Sequence, residues 1–313
     1  MDRTTRPRSR RLWGSNAPSH CPPMHTHGDP IDRESAPFDQ YSSIHPLTSD
    51  RSGHASVEHG RHQLYVGRDK RSRADVLIKV TCKPGLVYEQ NLTNAFATLS
   101  TINRELPDSR FFPVLVEQGR LRDGRVYMTT SLFDELPLAT TIGTERMPDR
   151  MVGHLRAAIE VARALAELHR LGIFHVDLNP MNILYRSEKD RPVIRIVDFE
   201  SSYEMARHST GVFYNPPTTP GYSAPEVPRQ APDARSDVFS LGAVLYTMLA
   251  SYQWTWEADV GTCVDADTEI EPELKRILRT AVQPNPDRRY PSIQKFHDAL
   301  AAYLERIWPG RSW

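Results

Sequence analysis

The sequence predicts an α+β fold in which a β-rich part comes first and a larger helical part follows. β-type apolar runs separated by turns fill the first half of the folded part, whereas apolar residues recur at helical spacing from Asp149 onward. Residues 1–55 are instead rich in Arg, Pro, Ser and His, and they bury too little apolar surface to offset their ordering entropy. We therefore expect a disordered arm at 1–55 and a folded domain at 56–308, with a β-rich lobe at 56–133 and a helical lobe at 134–308.

Local patterns predict the elements of the β-rich lobe. Apolar β-type runs at 64–66 and 76–80 flank a polar turn, which is typical of a hairpin. A helix is predicted over 88–106, where large apolar residues recur three and four positions apart. Strand candidates at 111–119 and 125–133 follow, and the turn sequence RDGR separates them.

The helical lobe begins with an amphipathic helix and contains a single clear strand. The helix is predicted over 154–172, and the short strand VIRIV lies at 193–197. A mostly apolar stretch at 235–250 predicts a buried core helix, and two amphipathic helices are predicted at 272–283 and 292–308.

Composition excludes some classes of function. The chain has 39 basic and 39 acidic residues, so no overall field favours nucleic acid, and we expect no nucleic-acid partner. Three widely spaced cysteines are typical of a reduced, cytoplasmic setting, and we expect no membrane span. Residues 1–12 hold five Arg and one Asp, which predicts either a solvated tail or a contact for a partner.

Polar side chains gather on the stretch HVDLNPMNIL, residues 175–184, between a predicted helix and a predicted strand. Asp177 and Asn182 are five residues apart and can point to one place, and Asp198 follows the next strand. Mg²⁺ prefers oxygen ligands of this kind, while a further carboxylate can orient a hydroxyl or accept its proton. Lys79 ends a β-type run and offers a fixed cation for phosphates. These are the parts that phosphoryl transfer requires.

In this order the motifs resemble those of the eukaryotic-type protein kinases over about residues 60–305. The stretch VLIKV resembles the strand with the ATP-anchoring lysine, which is Lys79 here. The stretch at 175–184 resembles the catalytic loop, with Asp177 as the catalytic aspartate and Asn182 as a metal ligand, and VDFE resembles the metal-binding motif, with Asp198 as the ligand. The resemblance implies a two-lobed protein-kinase-like fold, ATP and Mg²⁺ as cofactors, and transfer of the γ-phosphate to a Ser or Thr hydroxyl of a protein substrate.

Three later motifs strengthen the resemblance. TPGYSAPE resembles the end of the activation segment, and RSDVFSLG resembles the helix whose aspartate, here Asp237, supports the catalytic loop. PNPDRRYPS resembles the motif whose arginine, here Arg289, pairs with Glu226 of the Ala-Pro-Glu motif. The resemblance also implies a nucleotide pocket between the lobes, for which the candidates are Leu64, Leu77, Thr130 and the hinge from Ser131 to Phe133.

Several positions depart from the family pattern. The glycine-rich loop is expected at residues 57–62, VEHGRH, which contain only Gly60, so we expect weaker cover of the nucleotide. Glu89 is the best candidate for the helix glutamate that would pair with Lys79. Val176 replaces the arginine before the catalytic aspartate, so activity is not expected to require phosphorylation of the activation segment.

Two more substitutions lie at the catalytic centre itself. Asn179, a candidate catalytic-loop residue, replaces the lysine usual in serine/threonine kinases and removes one positive contact to the transferred phosphate. Glu200 replaces the glycine after VDF and is expected to restrict the backbone there.

Two alternatives to an active protein kinase remain open. The poor glycine-rich loop favours a pseudokinase that acts as a nucleotide-binding or scaffold module. The short motifs HVDLN and VDFE also resemble those of kinases that phosphorylate small molecules such as choline, although the motifs APE and SDVFSLG favour the protein kinases.

Overall fold

Strands dominate the first part of the chain and helices dominate the second in the computed structural model, which confirms the predicted α+β class. The structure describes residues 31–32, 37–47, 62–142, 149–188, 191–209, 216, 218–227, 229–250 and 259–310. The strands are β1 (Tyr41–Pro46), β2 (His62–Asp69), β3 (Asp75–Thr81), β4 (Leu115–Arg120), β5 (Val126–Ser131), β6 (Leu136–Pro137), β7 (Ile173–Phe174), β8 (Ile183–Arg186), β9 (Val193–Ile196) and β10 (Tyr203–Glu204). The helices are α1 (Leu86–Glu105), α2 (Asp149–Arg170), α3 (Met205–His208), α4 (Ala234–Ala250), α5 (Val260–Ala266), α6 (Pro272–Ala281) and α7 (Ile293–Ile307).

The first lobe is a five-stranded antiparallel sheet with α1 packed against it. The strand order is β1-β2-β3-β5-β4, so β3 lies at the centre of the sheet. The register places Lys79 of β3 opposite Leu64 of β2 and Met128 of β5. Alternate residues of β3, such as Ile78 and Val80, are fully buried, which fixes the face on which Lys79 lies.

Strand β1 corrects the expected domain boundary, because it lies inside the stretch assigned to a disordered arm. Phe38 and Tyr41 are almost completely buried, and Phe38 makes an edge-to-face contact with Tyr127 at 5.3 Å between ring centroids. Ile31 and Ile44 belong to the same core. β1 pairs with β2, and its residues Tyr41 and Ile44 share this core with Ile31 and Phe38 of the preceding segment. The folded domain therefore begins well before residue 56; residues 1–30 lie outside the described residues.

The second lobe is built around α4, which is buried on nearly all sides and packs against α2, α6 and α7. At Gly242 of α4, an added Cβ atom would lie 2.9 Å from the Cβ atom of Ala281, so the two helices are in very close contact. Two small antiparallel groups, β6-β8-β9 and β7-β10, flank the loop at residues 175–182. Among the described helices, none is long and apolar enough to cross a membrane.

Candidate active site

The buried carboxylate of Asp237 holds the loop that carries Asp177. It accepts hydrogen bonds from the backbone N–H groups of His175 and Val176 at 2.9 and 2.8 Å, and it lies 2.8 Å from Nε2 of His169. Although burial opposes ionisation, these partners keep the pKa of Asp237 below its ordinary value. Val176 has a φ of 72°, a left-handed conformation that is costly for a β-branched residue. The supporting role expected of Asp237 is confirmed.

His175 packs beneath the loop, as a structural residue would. Its ring is fully buried, lies 5.3 Å from the Phe199 ring between centroids, and contacts the carbonyl oxygen of Val197 through Nε2 at 3.1 Å. Burial lowers the pKa of His175, so the ring stays neutral at neutral pH.

The side chain of Asp177 lies among polar groups of its own loop and of the TPGYSAPE stretch. Asn182 and Asn179 donate to its backbone carbonyl oxygen at 2.9 and 3.1 Å, and the Ser223 hydroxyl donates to its Oδ1 at 3.2 Å. Burial and the nearby charge of Asp198 raise the pKa of Asp177 to about 7. The structure thus brings Asp177, Asn179 and Asn182 together.

Ser223 and Thr219 were not identified as site residues from the sequence. Asn179 donates to the Thr219 hydroxyl at 3.2 Å, and the backbone N–H of Thr219 donates to Ser223. Both hydroxyls lie in the TPGYSAPE stretch, which resembles the end of the activation segment. Polar side chains in such a motif are the feature of the sequence that could have identified them.

Lys79 reaches the same region from the other lobe. Its amine donates to Oδ1 of Asp198 at 3.2 Å and to Oε1 of Glu200 at 2.7 Å. Burial disfavours the charged amine, yet the two carboxylates raise the pKa of Lys79 above its ordinary value. Asp198 has a φ of 67°, and β9 ends two residues before it. The Lys79–Asp198 contact joins the two lobes at the cleft.

The pairing expected between Glu89 and Lys79 is not formed. Glu89 lies in the first turn of α1, next to the end of β4, where it makes a two-pronged ion pair with Arg120, with both N···O distances 2.8 Å. This ion pair and a backbone hydrogen bond from Gly85 lower the pKa of Glu89. Glu200, two residues after Asp198, takes the contact with Lys79 instead.

The candidates for the adenine pocket lie on neighbouring strands at the cleft. Leu77 of β3 faces Thr130 of β5 across the sheet, and Thr130 is buried. Ser131 bonds to the backbone of Val114 through both its hydroxyl and its N–H, and the Phe133 ring packs against the guanidinium of Arg195. These contacts fix the positions of the hinge residues. Nucleotide binding by these residues and by Leu64 stays a prediction.

The expected ion pair between Glu226 and Arg289 is confirmed and is almost completely buried. Two parallel N···O contacts of 2.7 Å join the side chains, and Ser236 donates to the same glutamate at 2.8 Å. Arg289 also donates to three backbone carbonyl groups, so its donors are satisfied in the interior. This pair fixes the end of the activation segment to the helical lobe.

The donor set suits a magnesium–nucleotide complex better than a metal held by protein alone. The Asp198 carboxylate is about one-quarter exposed, and Asn182 is held in the loop by its hydrogen bond to the Asp177 carbonyl oxygen. The described residues include no group of three or more His, Cys, Asp or Glu side chains that could hold a metal ion. Mg²⁺ fits this arrangement because it commonly takes one or two protein ligands and completes its shell with phosphate oxygens and water. Residues 57–61, the expected glycine-rich loop, lie outside the described residues.

A two-lobed fold with a lysine, two aspartates and an asparagine at the cleft defines the protein-kinase class. The chain belongs to the protein kinase family: the family model described as "Protein kinase domain" matches residues 120–306. This range includes Asp177, Asn182 and Asp198, while Lys79 precedes it.

Two relatives illustrate the similarity. The serine/threonine-protein kinase PknG of Mycolicibacterium smegmatis (strain ATCC 700084 / mc(2)155) is 29% identical over 155 residues, which are 48% of this chain and 19% of that protein. Ribosomal protein S6 kinase alpha-2 of Mus musculus is 46% identical over 94 residues, 29% of this chain and 13% of that protein. The matched segments thus span about a fifth or less of these relatives.

Proposed function

We propose that the chain is an active protein kinase that uses Mg²⁺ and ATP and phosphorylates Ser or Thr residues of a protein substrate. The observation that supports this most strongly is the 3.2 Å contact between Lys79 and Asp198, which the Asp177 loop adjoins. Family membership points the same way, as do the relatives named serine/threonine-protein kinase PknG and ribosomal protein S6 kinase alpha-2.

Each side chain has a distinct part in this proposal. Lys79 holds phosphate oxygens, Asp198 and Asn182 hold Mg²⁺, and Asp177 orients the acceptor hydroxyl. Bound Mg²⁺ supplies charge neutralisation between the phosphates. The protein contributes mainly positioning and electrostatic stabilisation, because a loose phosphoryl transition state needs little covalent help.

Asn179 and Ser223 keep the Asp177 carboxyl group in place. Asn179 holds the backbone of Asp177 and also contacts Thr219, while Ser223 donates to the carboxylate itself. The carboxyl group must be ionised to accept the hydroxyl hydrogen, and burial raises its pKa, so transfer is expected to weaken as the pH falls through the range in which the group takes up a proton.

The test is phosphate transfer from radiolabelled ATP to a mixed panel of protein acceptors, with Lys79→Ala and Asp177→Ala as variants. Both variants are expected to lose at least about a hundredfold in rate, because general-base and electrostatic contributions are typically this large. Lys83→Ala, an exposed lysine four residues on, is the matched control and should keep the wild-type rate. Wild-type turnover in either active-site variant would contradict the assignment.

A pseudokinase is the second candidate, and the glycine-poor sequence of residues 57–62 favours it. A thermal-shift assay with Mg-ATP, followed by the transfer assay, separates the two functions. Nucleotide binding without transfer would indicate the pseudokinase. Adding a panel of small hydroxyl-bearing metabolites tests the small-molecule kinase.

We also propose a cytoplasmic location and a protein substrate, with the basic N-terminal residues as a candidate contact for a partner. The three cysteines are few and widely spaced in the sequence, which fits a reducing compartment. Fractionation of cells that express a tagged chain tests the location, and loss of substrate capture after removal of residues 1–30 tests the contact.

A further inference from the structure

Glu200 is buried at the cleft although it belongs to a short loop after β9. Its side chain is only 8% exposed, and one carboxylate oxygen lies 2.7 Å from the Lys79 amine and 3.2 Å from Nδ1 of His62. Its φ is not positive, so the backbone does not require glycine at this position. A buried carboxylate is expensive unless it is paired, and Lys79 supplies the opposite charge.

The two carboxylates around Lys79 are not equivalent. Glu200 makes the shorter contact, 2.7 Å against 3.2 Å for Asp198, and it is also the more buried of the two. Asp198 is the residue whose oxygens the proposed metal would take. If Asp198 turns to a metal ion, Glu200 still balances the charge of Lys79 and keeps its amine in the cleft.

Helix α1 is joined to the same segment through neutral groups. The Asn94 amide donates to the backbone carbonyl oxygens of Glu200 and Ser202 at 3.0 and 2.9 Å. The hydroxyls of Thr98 and Ser202 are 2.8 Å apart and hydrogen bonded. The helix therefore fixes the backbone that carries Glu200 without placing a carboxylate of its own next to Lys79.

We propose that Glu200 is the positioning residue for Lys79, in place of a glutamate on α1. The inference rests on the proposed function, and it goes further: the negative charge that pairs with Lys79 comes from Glu200, which lies two residues after the proposed metal ligand Asp198. The short segment from Asp198 to Glu200 then aligns Lys79 with Asp198, and α1 only supports this segment through uncharged side chains.

The first experiment measures how far the ion pair protects the Lys79 amine in the chain without nucleotide. The chain has six lysines, and competitive labelling with trace acetic anhydride at a single pH of about 9, read by mass spectrometry, gives the relative labelling of each amine. Glu200→Gln is expected to raise the labelling of Lys79 at least about threefold, because the amine loses the partner of its shorter contact and is freed for acylation. Glu89→Gln is the matched control and should leave the labelling of Lys79 unchanged.

Glu200→Asp keeps the charge on a shorter side chain and serves as the second variant in case Glu200→Gln does not fold. It is expected to raise the labelling of Lys79 by less than Glu200→Gln does. The proposal is overturned if neither Glu200 variant changes the labelling of Lys79, or if Glu89→Gln raises it as far.

A second measurement connects the pair to the nucleotide. Glu200→Gln should weaken Mg-ATP binding or lower kcat/KM about tenfold, equivalent to about 1.4 kcal/mol, while Glu89→Gln stays within about twofold. Unchanged binding and kcat/KM in Glu200→Gln would remove the positioning role. If the wild-type chain itself binds no Mg-ATP, the proposed function fails, and the relative labelling of Lys79 still reports on the Glu200–Lys79 pair.

Discussion

Asp177→Asn is expected to stabilise the folded chain at high pH while it abolishes phosphate transfer. In the unfolded chain this carboxyl group ionises near 3.8, whereas burial and the charge of Asp198 raise the pKa of Asp177 to about 7 in the fold. The folded state therefore keeps this proton up to a higher pH than the unfolded state, and stability falls as the pH rises from about 4 to about 7. Above pH 7 the full cost of the buried charge is present, and the neutral amide avoids it.

The magnitude follows from the two pKa values. One pKa unit corresponds to 1.36 kcal/mol, so the rise to about 7 costs about 4 kcal/mol at pH 8 as an upper limit. At pH 5.5 the carboxyl group is protonated in the folded chain but ionised in the unfolded chain, so its cost to the free energy of unfolding is about 2 kcal/mol. The gain in free energy of unfolding from Asp177→Asn should thus be larger at pH 8 than at pH 5.5 by about 2 kcal/mol.

Urea denaturation of the wild-type chain and the variant at pH 5.5 and 8.0, without Mg²⁺ or nucleotide, measures this difference. Asp108→Asn removes an exposed carboxyl group and is the control, for which the effect should be the same at both pH values. Equal effects of Asp177→Asn at pH 5.5 and 8.0, or a loss of stability confined to pH 8.0, would refute the reasoning.

Three further substitutions test the packing that supports the site, each by urea denaturation. Arg289→Ala leaves a buried carboxylate unpaired and should cost about 3 to 5 kcal/mol, whereas Arg288→Ala, its exposed neighbour, should cost under about 0.5 kcal/mol; similar losses would contradict the buried pair. Gly242→Ala forces a Cβ atom into the facing helix and should cost about 1 to 3 kcal/mol, while Gly153→Ala meets open space in α2 and should be neutral or stabilising. Phe38→Ala should cost about 3 kcal/mol because its ring lies in the core of the first lobe; no loss would mean that the ring does not anchor the segment before β1.

Much of the site could be found from sequence because its residues lie in short motifs with fixed spacing. Asp177, Asn182 and Asp198 each follow or precede an apolar strand, and that local order carries over to three dimensions. The pair Glu226–Arg289 could be named only through the resemblance, since the two residues are 63 positions apart.

The partner of Lys79 could not be chosen from sequence. Glu89 and Glu200 are both acidic residues near a motif, and the decision depends on which side chain reaches the amine across the cleft. Arg120 decides it by capturing Glu89 at the end of β4. Strand β1 was missed for another reason: its few apolar residues are diluted among polar ones, and a strand that adds to an existing sheet edge needs little hydrophobic signal of its own.

The neutral links between α1 and the segment after Asp198 give the molecule an unequal response to ionic strength. Concentrated salt weakens exposed ion pairs such as Glu89–Arg120, because the Debye length falls from about 8 Å at 0.15 M to about 3 Å at 1 M, but it scarcely affects a hydrogen bond from the Asn94 amide to a carbonyl oxygen. Concentrated salt should loosen the first turn of α1 while the middle of the helix keeps its hold on the other lobe.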